Sequence, residues 1–270
     1  MSLILDRSHC QIKNRHQVQS RFPYPFQENA FKAMDKLKAE NPNGFASMIV
    51  LPTGAGKTYT AVHWILKNYL DKGTKVLWIA HRSELLRQAA EAFFEDTTKK
   101  TLPSRTGFES FVISSEFGRC YDVGQADIAI ASRQSLISGS NMEYILKWAK
   151  GSGLKVNSEL LLVIDEAHHA AAKSYRTIIN AMKKHIPHVD ILGLTATPYR
   201  TAKTQKGSLK KIFNTGTGIV YKIDMDYLIK IGILADPNNT EVRTPIDMTK
   251  VFNVEDIKKI ARTDLTSLDE

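Results

Sequence analysis

Cysteine and long apolar runs are both scarce in this sequence of 270 residues. The two cysteines, Cys10 and Cys120, stand far apart, and neither has the spacing of a zinc ligand. We therefore expect no disulfide framework and no structural zinc, as is typical of a reducing cytoplasm. No apolar run approaches the roughly 18 residues of a membrane span, and the N-terminus lacks the apolar stretch of a signal peptide. These absences favour a globular cytoplasmic chain with no membrane partner.

Acidic residues are also outnumbered, with 28 Asp and Glu against 37 Lys and Arg, so the formal charge is +9. A basic chain favours a polyanionic partner. Two interpretations stay open for the densest cationic stretch, 199–211: a solvated loop, or a contact with nucleic-acid phosphates. That stretch holds no acid and five cations, Arg200, Lys203, Lys206, Lys210 and Lys211.

Five short apolar runs lack the polar–apolar alternation of half-exposed strands, which is typical of strands buried on both faces of a parallel sheet. Helical periodicity lies between them, at 61–70, 85–94 and 175–182, and Ser83 is placed to cap the second helix. Alternating strands and helices predict an α/β fold with a doubly wound parallel sheet. The predicted strands are Ser47–Leu51, Lys75–Ala80, Asp127–Ser132, Leu160–Asp165 and Asp190–Ala196.

Other segments give no such signal. Residues 1–20 are polar without clear periodicity and stay unassigned. The Thr, Ser, Gly and Lys content of 99–125 and 200–218 predicts loops. In open α/β sheets ligands bind at the carboxyl ends of the strands, and the motifs that follow fall there.

The segment Leu51-Pro-Thr-Gly-Ala-Gly-Lys-Thr58 follows the first predicted strand and opens the first predicted helix. Its glycines let consecutive N–H groups turn toward one anion, and the helix N-terminus adds partial positive charge. Lys57 can reach the β- and γ-phosphates of a nucleotide, and the Thr58 hydroxyl can bind Mg²⁺. The general pattern has glycine where this sequence has Leu51. The predicted nucleotide-binding loop comprises Thr53, Gly54, Ala55, Gly56, Lys57 and Thr58.

Asp165 and Glu166 stand where the strand Leu160–Asp165 ends. Because consecutive strand residues point to opposite sides, the two carboxylates can serve different purposes. Asp165 is the predicted Mg²⁺ ligand opposite Thr58, and Glu166 is the predicted base for the water that attacks the γ-phosphate. With Lys57 they form the predicted catalytic set. His168 and His169 follow, but no third residue is spaced to complete a zinc site.

Six segments in order resemble the motifs of superfamily 2 helicases, over roughly residues 20–245. Pro52–Thr58, Asp165-Glu-Ala-His168 and Leu194-Thr-Ala-Thr-Pro198 are similar to motifs I, II and III. The resemblance implies a RecA-like P-loop lobe with helices on both faces of its sheet, which uses ATP and Mg²⁺ and acts on nucleic acid. The other three segments are Phe22–Gln27, similar to the glutamine motif, Ile79–Gln88, similar to motif Ia, and Ala131–Leu136, similar to motif Ib.

The resemblance also implies roles for single residues. Gln27 would read the adenine edge and an aromatic such as Tyr24 would stack on the base, although a helix-capping role for Gln27 stays open. The residues expected at the nucleic-acid backbone are Arg82, Ser83, Arg133 and Gln134, and those expected to couple the nucleotide site to the third motif are His168, Thr195 and Thr197.

The forms His81-Arg-x-Glu-Leu and Thr195-Ala-Thr-Pro-x-Arg are similar to the branch that includes restriction-enzyme motor subunits and excision-repair helicases. DNA is therefore the expected partner ahead of RNA, in restriction, phage defence or repair. No Gln-x-x-Gly-Arg-x-x-Arg motif follows, and the 72 residues after Pro198 are fewer than the ~150 of a second lobe. We expect a first lobe over 21–235, closed by a helix from Tyr221 to Leu234, a connector over 236–270, and a second RecA-like lobe in cis or in trans.

The sequence thus predicts the ATP-binding lobe of an ATP-dependent helicase or translocase, an ATP hydrolase that is weakly active by itself. Three alternatives stay open: an RNA helicase of the DEAH type, another P-loop enzyme such as a kinase, and a nucleotide-regulated nucleic-acid interaction module. ATPase stimulation by DNA would distinguish a motor from a kinase. Intact Lys57, Asp165 and Glu166 argue against the interaction module.

Overall fold

The computed structural model describes residues 7–11, 22–152, 155–197 and 203–236. These ranges hold ten strands: β1 (Arg7–Gln11), β2 (Ala46–Val50), β3 (Lys75–Ala80), β4 (Gly107–Ile113), β5 (Ile128–Ser132), β6 (Gly151–Ser152), β7 (Lys155–Val156), β8 (Glu159–Asp165), β9 (His188–Thr195) and β10 (Ile219–Lys222). They also hold eight α-helices: α1 (Pro25–Glu40), α2 (Lys57–Asn68), α3 (Ser83–Glu95), α4 (Arg133–Ile137), α5 (Asn141–Lys150), α6 (Lys173–His185), α7 (Lys203–Ile212) and α8 (Met225–Lys230).

Eight strands form one sheet in the order β1-β4-β5-β3-β8-β9-β2-β10. Every neighbouring pair is parallel except β1 and β4, which are antiparallel. The small hairpin of β6 and β7 lies outside this sheet. The predicted α/β class and all five predicted strands are confirmed, with shifts of one or two residues at their ends.

The core has two layers, one on each face of the sheet. On β3, Val76 and Trp78 pack in the layer with α1, α2 and α3, whereas Leu77 and Ile79 pack in the layer with α4, α5 and α6. All six residues of β3 are buried. Continuous apolar strands are therefore required here, because both faces of a parallel sheet are covered.

Two predicted loops contain regular structure, so those predictions are wrong in part. Residues 99–125 include β4, which pairs with β5 and with β1, and 200–218 include α7. The segment 1–20, left unassigned, supplies β1. Of the basic stretch 199–211, residues 199–202 lie outside the described ranges, and Lys210 and Lys211 are exposed in the last turn of α7.

Two predicted helix ends also differ. The segment 221–234 holds the end of β10 and the six-residue α8 in place of one long helix. Ser83 is the first residue of α3, and Arg82 takes the N-cap position without a capping side-chain hydrogen bond. The chain divides into a compact unit that ends at Leu234 and a second unit that begins at Ala235. Within the described ranges, no helix combines the length and the apolar character needed to cross a membrane.

Because the central strands are parallel, the segments that follow them meet at one edge of the sheet. The register pairs Val50 with Thr195, Asp165 with Leu194, and Ala80 with Ser132. The predicted nucleotide-binding loop, the Asp165–Glu166 pair and the segments after β3, β5 and β9 therefore lie at the same edge of the sheet.

Candidate active site

The predicted nucleotide-binding loop, Thr53 to Thr58, joins β2 to α2 and contains two left-handed glycines. Gly54 has a φ of 83° and Gly56 a φ of 76°, which a side chain would make unfavourable. A Cβ atom on Gly56 would lie 2.8 Å from Nε2 of Gln27. The Leu51 N–H donates to the Thr195 carbonyl at 3.1 Å, so the loop begins anchored to the end of β9. The predicted strand, loop and helix arrangement is confirmed.

Gln27 supports this loop from α1. The side chain is buried, and its Nε2 donates to the Ala55 carbonyl at 3.3 Å. Its Oε1 accepts the Tyr24 N–H at 3.0 Å, which caps the start of α1. The helix-capping interpretation is therefore correct for the amide oxygen, although the residue is not at the surface. The Tyr24 ring is half exposed and stacks on Phe26 with 5.7 Å between centroids. The contacts of Gln27 and Tyr24 with adenine stay predictions.

Asp165 ends β8 and is 5% exposed. Burial raises the pKa of Asp165 to about 6; the Glu166 carboxylate also raises it, while the Glu166 N–H bond to Asp165 Oδ1 (2.9 Å) and the Lys57 ammonium lower it. Lys57 and Asp165, 108 residues apart in sequence, therefore act on each other electrostatically. Lys57, predicted to face the phosphates, and Asp165, predicted to bind the metal, therefore lie in one site.

Glu166 has a φ of 50°, a left-handed conformation that non-glycine residues rarely adopt. It is the single described non-glycine residue with positive φ. Its Oε2 lies 3.3 Å from Nδ1 of His168, and the same nitrogen lies 3.1 Å from Oγ1 of Thr195. Strained backbone of this kind is concentrated at functional sites.

Thr195 and Thr197, the predicted third-motif residues, differ in burial and in the groups that form their hydrogen bonds. Thr195 is buried and its Oγ1 donates to the Thr197 carbonyl at 3.0 Å and accepts the Thr197 N–H at 3.2 Å. Thr197 is exposed and takes part through its backbone. The predicted connection of His168 with the third motif is thus present in the structure as a direct contact.

One contact at this edge was missed. The His169 ring lies 5.0 Å from the His81 ring and 4.2 Å from the His168 ring, centroid to centroid. His81 belongs to the segment after β3, so this ring contact joins the predicted nucleic-acid segment to the loop that carries Asp165 and Glu166. The sequence carries no spacing signal for it, since 88 residues separate the two histidines.

A cleft of about 440 Å³ contains the predicted phosphate-binding and acidic residues together. One wall comes from α3, which the sequence did not assign to this site. The cleft is lined by Thr53, Gly54, Gly56, Lys57, Thr58, Tyr59, Leu85, Gln88, Glu91, Ala92, Glu95, Asp165 and Glu166. Gln27 and Tyr24 are not among its lining residues; Gln27 contacts the loop from α1 through the Ala55 carbonyl.

The four residues predicted at the nucleic-acid backbone lie after β3 and β5 and outside this cleft. Arg82 and Gln134 are exposed, and Ser83 is half buried. Arg133 is engaged within the protein: its Nη1 donates to Ser174 Oγ at 2.7 Å, and its Cζ lies 5.9 Å from the centre of the Tyr175 ring. Of the two predicted cations, Arg82 is therefore the one with an exposed side chain.

A second cluster of charged groups lies at the opposite edge of the sheet. Glu159, His188 and Asp190 have ligand atoms within 4.8 Å of one another, an arrangement that could hold a metal ion. Lys38 already supplies positive charge there, with its Nζ 2.8 Å from Glu159 and 3.3 Å from Asp190. The cluster fastens α1 to the starts of β8 and β9.

Comparisons with known proteins give consistent matches. Residues 22–200 match the family described as Type III restriction enzyme, res subunit. The chain is 27% identical over 223 residues to the ATP-dependent helicase IRC3 of Saccharomyces cerevisiae. This match covers 79% of the chain and 28% of IRC3. It is 28% identical over 163 residues to the ATP-dependent DNA helicase fml2 of Schizosaccharomyces pombe. This second match covers 59% of the chain and 19% of fml2.

Among solved structures, the Pyrococcus furiosus Hef helicase domain superposes with a TM-score of 0.52 at 25% identity. That match covers 74% of this chain and 37% of the Hef chain. The chain thus spans less than a third of the length of the two curated relatives.

Proposed function

The chain belongs to the family of Type III restriction enzyme res subunits, and we propose that it is the ATP-binding lobe of an ATP-dependent motor that acts on nucleic acid. The family and the RecA-like fold indicated by the motifs are confirmed. The observation that carries the proposal is the single cleft in which Lys57 and Thr58 face Asp165 and Glu166. A phosphate loop and a paired acidic site in one cleft are the parts that nucleotide hydrolysis requires.

The loop binds the triphosphate. Gly54 and Gly56 adopt the left-handed backbone that lets neighbouring N–H groups converge on an anion, and α2 begins at Lys57. The Lys57 ammonium neutralises charge on the β- and γ-phosphates. This loop conformation requires glycine at position 56, because a Cβ atom there would displace the Gln27 amide that holds the loop.

Thr58 and Asp165 suit Mg²⁺, which prefers hydroxyl and carboxylate oxygens. The raised pKa of the buried Asp165 supports this fit, because a bound cation would offset the cost of keeping that carboxylate ionised. When bound, Mg²⁺ supplies positive charge to the transferring phosphoryl group. The protein positions the two oxygen ligands, with the Asp165 carboxylate at the end of β8 and the Thr58 hydroxyl at the start of α2.

Glu166 orients and deprotonates the attacking water. It is less buried than Asp165 and lines the same cleft. Its strained backbone turns its carboxylate toward Nδ1 of His168. His168 in turn contacts Thr195, which gives movement at the third motif a route to the base.

DNA is the proposed substrate of the whole protein, supported by the motif spellings and by the relative named as a DNA helicase. Because the chain covers 28% of IRC3 and 19% of fml2, a second RecA-like lobe, in cis or in trans, completes the motor in this proposal. Arg82 contributes a backbone contact from the end of β3.

Binding of a fluorescent ATP analogue with Mg²⁺ tests the proposal. Lys57→Ala should weaken binding about 10–100-fold, because a charged hydrogen-bond donor to phosphate is lost. Lys67→Ala, which removes an exposed lysine from the last turn of α2, is the matched control and should leave the affinity unchanged. Equal affinity in the Lys57→Ala and wild-type chains would remove the phosphate-loop assignment.

Glu166→Gln separates binding from chemistry. It keeps the side-chain shape, so nucleotide affinity should stay near that of the wild type, while hydrolysis of bound ATP should fall on the order of 10²-fold or more. Weaker binding with undiminished turnover of bound ATP would contradict the role of base.

A further inference from the structure

The net positive charge of the chain comes from one segment of it. Residues 167–222 hold ten Lys and Arg and a single acid, Asp190, whereas the rest of the chain holds 27 Lys and Arg and 27 Asp and Glu. The segment therefore accounts for the whole formal charge of +9. Asp190 is 1% exposed and is bonded to Tyr69 and Lys38, so it presents no carboxylate to solvent beside these cations.

Two helices place these cations over one face of the sheet. α6 packs through Ile178 and Met182, and α7 through Leu209 and Phe213, into the same core layer. Neither helix contains an acidic residue. The exposed positions of α6 recur at helical spacing, and each is cationic or polar. This α6 stripe consists of Lys173, Arg176, Thr177, Asn180, Lys183 and Lys184.

The last turns of both helices lie at the edge of the sheet opposite the candidate active site. Thr215, just after α7, exchanges hydrogen bonds with Ala46 at the start of β2. A cavity of about 290 Å³ is lined there by residues from both helix ends, Lys183 and Thr215 among them. β9 runs from this edge to Thr195, a distance of roughly 23 Å. We call the four exposed lysines of these last turns the basic edge: Lys183, Lys184, Lys210 and Lys211.

Helix stability explains only part of this charge. Lysines in a last turn interact favourably with the helix dipole, which suits the basic edge. Lys173 is the first residue of α6, where the same dipole makes a cation unfavourable and an acid favourable. The positive stripe therefore extends along the helix to a position at which stability opposes it, and a polyanionic ligand is the partner that such a surface fits.

The chemistry of this surface distinguishes among polyanions. None of the large apolar side chains exposed in the described ranges lies on α6 or α7. Protein interfaces and membrane-surface helices combine their charges with apolar anchors. Contact with nucleic-acid phosphates instead requires only cations and hydrogen-bond donors, and Asn180 supplies such a donor within the stripe. The phosphate backbone of a nucleic acid is therefore the favoured partner.

We infer that the α6 stripe and the basic edge bind the phosphate backbone of duplex DNA. The inference goes beyond the proposed function, because this surface is separate from the nucleotide cleft and from Arg82 and requires no nucleotide. From Lys173 to Lys184 the stripe is about 16 Å long, and a duplex carries one charge per about 1.7 Å of its axis. Several phosphates thus lie within reach of one helix, and the chain holds DNA at two separate places.

Fluorescence anisotropy with a labelled duplex of about 20 base pairs, without nucleotide, tests this inference. A variant that neutralises the basic edge should bind about tenfold or more weakly at about 50 mM salt. Its slope of log K against log salt should become shallower by about three, because up to four phosphate contacts are lost. The substitutions of this edge variant are Lys183→Gln, Lys184→Gln, Lys210→Gln and Lys211→Gln.

The matched control removes the same charge from the opposite face, at four exposed lysines on α1, on α2 and just after α2. It should change neither the affinity nor the salt slope. Equal losses in the two variants would show that net charge alone governs binding and would overturn the inference, as would undiminished binding by the edge variant. The control substitutions are Lys32→Gln, Lys36→Gln, Lys67→Gln and Lys72→Gln.

Two further probes exclude other partners of the same charge. Polyglutamate stands for an acidic protein, and vesicles rich in phosphatidylserine stand for a membrane surface. If either bound the wild-type chain more tightly than the duplex at equal salt, and lost that binding in the edge variant, the surface would belong to that partner and the inference would be overturned.

Lysine acetylation read by mass spectrometry tests the unaltered chain. Excess duplex should protect the four lysines of the basic edge, while Lys32 and Lys67 react as before. Equal reactivity with and without duplex would contradict the inference. Both quadruple variants should bind Mg·ATP with wild-type affinity, so the Lys57→Ala assay reports separately on the proposed nucleotide site.

Discussion

Nδ1 of His168 lies 3.1 Å from Oγ1 of Thr195, so the loop after β8 is joined directly to the end of β9. The Thr195 hydroxyl has one proton, and the Thr197 carbonyl accepts it at 3.0 Å. Oγ1 must therefore accept from His168, which assigns the proton of a neutral imidazole to Nδ1. That N–H also faces Glu166 Oε2 at 3.3 Å. One proton on His168 thus serves the predicted base and the third motif together.

Thr195→Val should uncouple these groups. Valine has nearly the same volume but offers no acceptor to His168, so Glu166 loses an ordered neighbour. We expect ATP hydrolysis to fall about tenfold while Mg·ATP affinity is retained. Thr197→Val is the matched control, because Thr197 contributes through its backbone. Nitrogen NMR of His168 should show Nδ1–H in the wild type; an Nε2–H tautomer would refute the assignment.

Asp165→Asn should stabilise the chain at high pH. Folding raises the pKa of Asp165 to about 6, so the folded state binds this proton more tightly, and ionising Asp165 above that pH costs stability. The cost is largest at pH 8, about 3 kcal/mol, and disappears as the pH falls through 6 toward 4. Urea unfolding without Mg²⁺ at pH 8, 6 and 4.5 measures it.

The control for this prediction is Asp122→Asn, at an exposed aspartate. Its effect on the free energy of unfolding should be small at each pH. A gain from Asp165→Asn that does not depend on pH would show that packing, and not ionisation of a buried carboxylate, is responsible.

Arg82→Gln should weaken nucleic-acid binding by a similar factor for every sequence. Arg82 is exposed at the N-cap of α3, where it can reach a phosphate but is not held by a described side chain. The slope of log K against log salt should become shallower by about one. Arg87→Gln, further along the same helix, is the control. A defect confined to particular sequences would indicate contacts with bases.

The chain by itself should hydrolyse ATP slowly, with little stimulation by DNA. An arginine finger is worth ~10³–10⁵ in rate in related phosphate chemistry, and residues 199–270 hold no match to the motif that supplies it. Steady-state hydrolysis with and without single- and double-stranded DNA is the measurement. Adding a second lobe should raise both rate and stimulation. Strong stimulated turnover from these 270 residues alone would place the finger within them.

The parts of the fold predicted correctly are those with a local signal. β3 and β8 are nearly continuous apolar runs, since a doubly covered strand must be apolar throughout. β4 was missed because Glu109 and Ser110 interrupt it, and those polar residues are satisfied by β1, about 100 residues earlier. α7 was missed because its cationic, glycine-containing sequence lacks a strong helical preference.

The sequence by itself determined the position of the predicted phosphate loop, because two glycines that set the backbone and the side chains of Lys57 and Thr58 lie within six consecutive residues between a strand and a helix. It also determined that Asp165 and Glu166 would follow a buried strand. Only the tertiary structure decided what these groups meet: Gln27 behind the loop, the α3 wall of the cleft, the His168–Thr195 contact, and the His81–His169 ring contact. Those contacts join segments tens of residues apart or more, and their distances are set by helix packing and strand order, for which no local spacing rule exists.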